Sequence, residues 1–225
     1  GAFNDTQAQE MAGHAIAEAV KRSKVSKEEI DDVIIGAAGQ QGSQQGNIAR
    51  QSLLRAGLPV SVAGMSLDRQ CASGMMAIAT AAKEITEDGM TITVGGGVES
   101  VSLVRNENFR MDRARDPWLE ENIPALYMTM IETAENVAKR YGISREAQDE
   151  YSLQSQMRTA RAQQNGYMDK EIVPLKSTMK YKDKETGEIS SHDVCIEKDE
   201  GNRPSTTFEG SVSYTHLRAH ETELH

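Results

Sequence analysis

"VSVAGMSLDRQCASGMMAIATAAKEITEDGMTITVGGG", residues 60–97, sets two β-type runs on either side of a segment rich in alanine, methionine and isoleucine. The first run, "VSVAGMSL" at 60–67, reads as a strand, and "TITVGGG" at 91–97 reads as another that ends in three glycines. Between them, residues 72–87 have the composition of a helix that stops at Gly89. Upstream the same alternation continues. Residues 7–22 carry Met11, Ala12, Ala15, Ile16, Ala19 and Val20 at helical spacing and leave Glu10, Glu18 and Lys21 for water. Ser26 and Glu29 form a capping box, "VIIG" at 33–36 reads as a buried strand, and a helix over 47–56 is stopped by Gly57 with Pro59 beyond it. Helix, strand, helix, strand, helix, strand at short intervals predicts an α/β sheet with helices packed on its faces.

Past Ser102 the character changes. Residues 104–127 are polar and irregular and hold Trp118, the only tryptophan, and helices are predicted over 128–142 and 144–166. "EIVPLKSTMKY" and "EISSHDVCI" read as short strands joined by a turn at "KDKETGE", and the whole stretch is expected to form a separate, mostly surface, insertion. The predicted division is 1–103 for the α/β part, 104–210 for the insertion and 211–225 for a tail.

Composition narrows the function classes. A chain of 225 residues that is 38% apolar and 26% charged is of globular type. The excess of 34 acids over 25 bases, a net charge of −9, argues against a broad nucleic-acid surface and against an anionic membrane surface. Any anionic ligand must then be held by local groups. Two cysteines, Cys71 and Cys195, are too few for a disulfide framework and predict a reducing, cytoplasmic setting. No apolar run approaches the roughly 18 residues of a membrane span, and the first residues carry no signal-peptide pattern.

Cys71 stands between a charged turn and a helix start, in "DRQCASGMM". Sulfur at that position lies near unpaired N–H groups and the positive end of the helix dipole, which favour thiolate chemistry. Ala72, Ser73 and Gly74 are small enough to let a substrate approach. The residues alone leave two readings open, a nucleophile or a small buried hydrophobe. Cys195, in a polar hairpin, reads as a structural or exposed thiol, and His14 as a packed histidine on a helix. The glycines 95–97 lack the spacing of a phosphate loop and are explained by close backbone approach.

"DRQCASGMMAIATAAKEI" followed by "GGGVES" resembles the nucleophile region of the thiolases, enzymes that make or cleave 3-ketoacyl-CoA through an acyl-cysteine. "MIETAENVAKRYGISREAQDEYSLQSQ", "GYMDKEIVP" and "DEGNRPSTTFEG" extend the resemblance to about Gly210, in the family's order. It implies a thiolase-like α/β fold, here the N-terminal half with its inserted loop domain, and Cys71 as the residue that takes the acyl group. Met130 matches a methionine beside the reacting acyl group, with ordinary helix packing as the other reading. Arg203 matches an arginine at the nucleotide end of CoA, where a guanidinium suits phosphate or adenine, with a solvated loop charge as the alternative. The implied substrates are acyl-CoA, acetyl-CoA and CoA, with no separate cofactor and no metal, and the implied assembly is a homodimer or tetramer. Rival readings are a condensing ketoacyl synthase with malonyl donors and a non-catalytic acyl-CoA binding protein.

Thiolase chemistry also calls for a base, a second acid/base and an oxyanion site, which the family draws from Gly-His-Pro and Cys-x-Gly motifs and a water held by asparagine. Neither motif occurs in this chain, so the expectation is a thiolase piece cut at both ends that does not turn over by itself. The tail carries His216, His220 and His225, a weak metal pattern. "VSYTHLRAHET", residues 212–222, resembles a translated sequencing adapter, and the tail is expected to be foreign to the protein.

Overall fold

The computed structural model describes residues 1–213; the adapter-like stretch from 214 on and its three histidines lie outside the described residues. The chain divides into two compact units, Gly1–Arg110 with Val173–Glu197, and Met111–Ile172 with the described residues from Lys198 onward.

In the first unit α1 (Ala8–Ser23), β1 (Asp32–Gly36), α2 (Ile48–Arg55), β2 (Ala63–Leu67), α3 (Ser73–Thr86) and β3 (Thr93–Gly97) follow the predicted order, and α4 (Val101–Val104) comes after them. The three strands form a parallel sheet in the order β2-β1-β3. Every residue of the central strand β1 is buried, as expected for a strand covered on both faces. Val33 and Ile35 join Ile16, Val20, Ile48 and Leu53 in a core with α1 and α2, while Ile34 packs with Ala77 and Ala81 of α3.

One boundary and one helix face differ from expectation for identifiable reasons. β2 begins at Ala63 rather than at 60, because the Arg50 guanidinium takes the carbonyls of Val60 and Val62 away from any ladder. On α1 the buried face is Ala8, Ala12, Gly13, Ile16 and Val20, and Ala15 and Ala19 face water instead. Alanine carries too little area to fix which way a helix turns.

α3 lies directly on glycine. A Cβ on Gly36 would fall 2.2 Å from the main chain of Ser73, and one on Gly97 would fall 3.0 Å from Cα of Gly74. A Cβ on Gly95 would fall 2.8 Å from Cα of Ile78, so Gly36, Gly95 and Gly97 are packing requirements that let α3 rest on the strands, while one on Gly96 would meet only the Ile35 side chain at 3.8 Å.

The strands β4 (Leu175–Lys182) and β5 (Ile189–Ile196) form an antiparallel hairpin that groups with the first unit, not with the insertion in which it was expected. The side-chain amide of Asn4 donates to the carbonyl of Lys180 at 2.7 Å and accepts its N–H at 3.0 Å, acting as a missing strand partner along β4. Thr6 and Ser177 share a hydroxyl hydrogen bond of 2.6 Å, and Asp5 pairs with Lys180 at 3.0 Å.

The second unit holds α5 (Pro117–Asn122), α6 (Met130–Tyr141), α7 (Arg145–Gln164) and α8 (Phe208–Ser213). Thr129 and Glu132 close a capping box on α6, and Ser144 caps α7. Among the described residues no helix is long and apolar enough to cross a membrane.

Candidate active site

Cys71 sits at the apex of a tight turn between β2 and α3, one residue before the N-cap Ala72. The turn is held from inside. Asp68 accepts the N–H of Gln70 at 2.7 Å, and the buried Ser73 hydroxyl accepts the N–H of Arg69 at 2.9 Å while donating to the carbonyl of Gln70 at 2.6 Å. Gln70 adopts φ of +51°, in the left-handed region. The result is an exposed thiol, which removes the reading of Cys71 as a buried hydrophobe.

A concavity opens in front of it. Its lining comes from the C-terminal ends of all three strands: Gly36 to Gly39 after β1, Gln70 and Cys71 after β2 with Ser73 and Gly74 of α3, and Gly97 to Glu99 after β3, joined by Val101 and Arg105. Parallel sheets gather ligands at these ends, where helix starts and strand ends leave main-chain groups free to be used. Among the described residues the lining contains no histidine and no second thiol.

Its far wall is a hydrogen-bonded clamp. Glu99 accepts the N–H of Ala38 at 2.8 Å, that of Gly39 at 3.3 Å and the amide of Gln44 at 2.8 Å. Gln44 is fully buried, donates also to the carbonyl of Gly39 at 2.8 Å and accepts the N–H of Ser100. None of Ser73, Glu99 or Gln44 stands out in the sequence. The only written signals are a serine two positions after the cysteine and the glutamate of "GGGVES".

Two carboxyls shifted upward by burial lie at the opposite end of the sheet. Burial pushes the carboxyl of Asp32, the first residue of β1, above the ordinary range, offset in part by the Val33 N–H. Burial also raises Glu84 on α3, and the nearby Asp32 and Asp88 charges add to the effect.

The other predicted site residues belong to the second unit. Met130 is the first residue of α6 and 77% exposed, so it is not packed as an ordinary core methionine. Arg203 is exposed on a loop held by α7, with its N–H donated to Gln156 Oε1 at 2.8 Å. The Asn202 amide donates to the same oxygen at 2.8 Å, and Thr206 bonds to the carbonyl of Arg203. Arg203, Gln156, Ser152 and Thr206 border a shallow concavity of their own. Cys195 is an exposed thiol on β5, and the Nε2 of His14 is buried without a partner, remote in role from the Cys71 lining. Among the described residues no group of three His, Cys, Asp or Glu is placed to hold a metal ion.

The family model for the thiolase N-terminal domain matches residues 1–216, past Gly210 where the likeness was expected to stop. The chain is 36% identical over 225 residues to a beta-ketoadipyl-CoA thiolase of Acinetobacter baylyi, covering 93% of this chain and 54% of that protein. It is 35% identical over 212 residues to a 3-ketoacyl-CoA thiolase of Bacillus subtilis, covering 92% and 52%. The crystal structure of the Bacillus anthracis acetyl-CoA acetyltransferase superposes with a TM-score of 0.73 at 35% identity, covering 93% of this chain and 52% of that one. The chain spans about half the length of the curated relatives it matches.

Proposed function

The chain belongs to the thiolase family, and on that premise we propose that its parent protein transfers acyl groups between CoA and acetyl-CoA through a thioester on Cys71. The observation that carries this reading is the exposed Cys71 thiol at the apex of a held turn, facing a concavity formed by three strand ends. Sulfur attacks the 3-keto carbonyl carbon of a 3-ketoacyl-CoA. The bond between that carbon and the adjacent CH2 then breaks, and its electron pair leaves on acetyl-CoA, which takes up one proton. In the second half-reaction the thiol of free CoA attacks acyl-Cys71, releasing acyl-CoA and returning the proton to the cysteine side of the balance. Run backwards, the same steps condense two thioesters.

Met130 is proposed to lie beside the acyl group, and Arg203, presented by the Gln156-held loop, to meet the nucleotide end of CoA. In a protein of net charge −9 such a guanidinium supplies the local attraction that the surface as a whole does not. Because the described residues of the Cys71 lining include neither a histidine nor a second thiol for the proton transfers, and the chain has no Gly-His-Pro or Cys-x-Gly motif, the 225 residues alone are proposed to be nearly inert.

The test is kinetic. Ping-pong thiolysis of acetoacetyl-CoA by the full-length parent, abolished in Cys71→Ser, is the expected result, and undiminished turnover in that variant refutes the assignment. Parent-like turnover by the 225-residue chain would refute its inertness.

A further inference from the structure

We infer that Glu99 and Gln44 are positioning residues that hold the segments after β1 and β3, which share a lining with Cys71, in one arrangement, and so set how readily a bulky electrophile reaches the thiol beside a slender one. The inference rests on Cys71 being the working thiol of this site. The segments that follow β1 and β3 stay joined through the Val98 N–H, which donates to the Gly36 carbonyl at 3.0 Å, and beyond that bond the side-chain clamp ties them. The clamp makes them one body: both oxygens of Glu99 accept from the first segment or from Gln44, and Gln44 bridges Gly39 to Ser100. Donor and acceptor roles are fully assigned. Reversing the Gln44 amide would set its carbonyl against the Gly39 carbonyl and the Glu99 carboxylate, and its NH2 against the Ser100 N–H. Likewise a glutamine at 99 would aim an NH2 at the Ala38 N–H or at the Gln44 amide, although its size is nearly that of glutamate. Gln44 has no solvent exposure, so a broken pairing there is not repaired by bulk water. Glu99 itself is exposed on the lining, which places the clamp at the surface a substrate meets.

The experiment compares iodoacetamide with N-pyrenylmaleimide on the 225-residue chain, following Cys71 and the exposed Cys195 by peptide mass spectrometry. Cys195, on the hairpin, serves as the internal reference for reagent and stability effects. The preference of Cys71 for the small reagent, normalised to Cys195, is expected to fall roughly fivefold in Glu99→Gln and in Gln44→Ala. Ile48→Val, a mild core change in α2, lowers stability and is expected to leave the preference alone. An unchanged preference in both single variants, or an equal fall in Ile48→Val, would overturn the inference. Since the readout is alkylation and not acyl transfer, the expected pattern in this chain together with a full-length parent whose Cys71 accepts no acyl group refutes the acyl-enzyme reading and leaves the clamp standing.

Discussion

Gln70 carries the backbone strain of the Cys71 turn. A left-handed conformation costs a residue with a Cβ about 1–2 kcal/mol, and here Asp68 and Ser73 hold it in place with hydrogen bonds to its N–H and carbonyl. Gln70→Gly removes that strain but adds freedom to the unfolded chain, so the expected net gain is about 0.5 kcal/mol, read as a higher urea midpoint with unchanged slope. Ser73→Ala works the other way. It leaves the Arg69 N–H without its partner and removes one of two hydrogen bonds to the Gln70 carbonyl, which keeps the main-chain N–H of residue 73, and a loss of about 1 kcal/mol is expected in the same titration. Cys71 itself was legible in the sequence because a thiol before a run of small residues is unusual in both composition and place. Gln44 was not. In "GQQGSQQG" four glutamines look alike, and only the fold shows that one of them is wholly buried between two strand ends.

At the scale of elements, the order of helices and strands in the first unit could be read because periodicity and glycine or proline stops agree with each other there. Which face a helix buries was less legible where alanines ring it, as on α1. The seat of α3 on Gly36 was hidden too, since a glycine at a strand end reads as a stop and not as a contact. Gly36→Ala pushes a methyl into the main chain of Ser73, which cannot swing aside as a side chain would. A cost of about 2–3 kcal/mol is expected in thermal unfolding, together with a changed alkylation rate at Cys71 as α3 lifts. The far end of α3 supplies a pH test. The carboxyls of Asp32 and Glu84 are both raised by burial in the folded chain, so the fold binds their protons more tightly than the unfolded chain does. Their contribution is therefore favourable at low pH and is lost as pH rises from the ordinary carboxyl range through the raised values. Glu84→Gln removes one of the two charges and is expected to raise the melting temperature at pH 7 by the equivalent of about 1 kcal/mol. The gain over the unsubstituted chain should shrink as pH falls, and a pH-independent gain would count against a buried charge as its cause.

For the whole molecule, the change in composition after Ser102 led to an expected division at 103, whereas the first compact unit runs to Arg110 and the hairpin returns to it, which composition did not show. That return depends on Asn4, Asp5 and Thr6, some 171 to 176 residues away in sequence from the hairpin residues they bond, and no local pattern announces it. The surface carries a further consequence. On the side of α3 turned away from the sheet, Met75 is 76% exposed, Ile78 57% and Ile85 44%, one above another at helical spacing with Ala82 between them. Monomeric soluble proteins seldom leave such a contiguous apolar stripe open to water, and the acidic net charge of −9 works against association only weakly at physiological salt. The 225-residue chain is expected to self-associate at micromolar concentration and to bind a hydrophobic dye. Replacing Met75, Ile78 and Ile85 together by lysine leaves the buried face of α3, Ala77 and Ala81 against Ile34, untouched. Sedimentation velocity should then show a monomer with an unchanged far-ultraviolet circular dichroism spectrum and reduced dye binding. Association that persists undiminished in this variant would place the responsible surface elsewhere, and a monomeric parent chain would show that the stripe is tolerated in water.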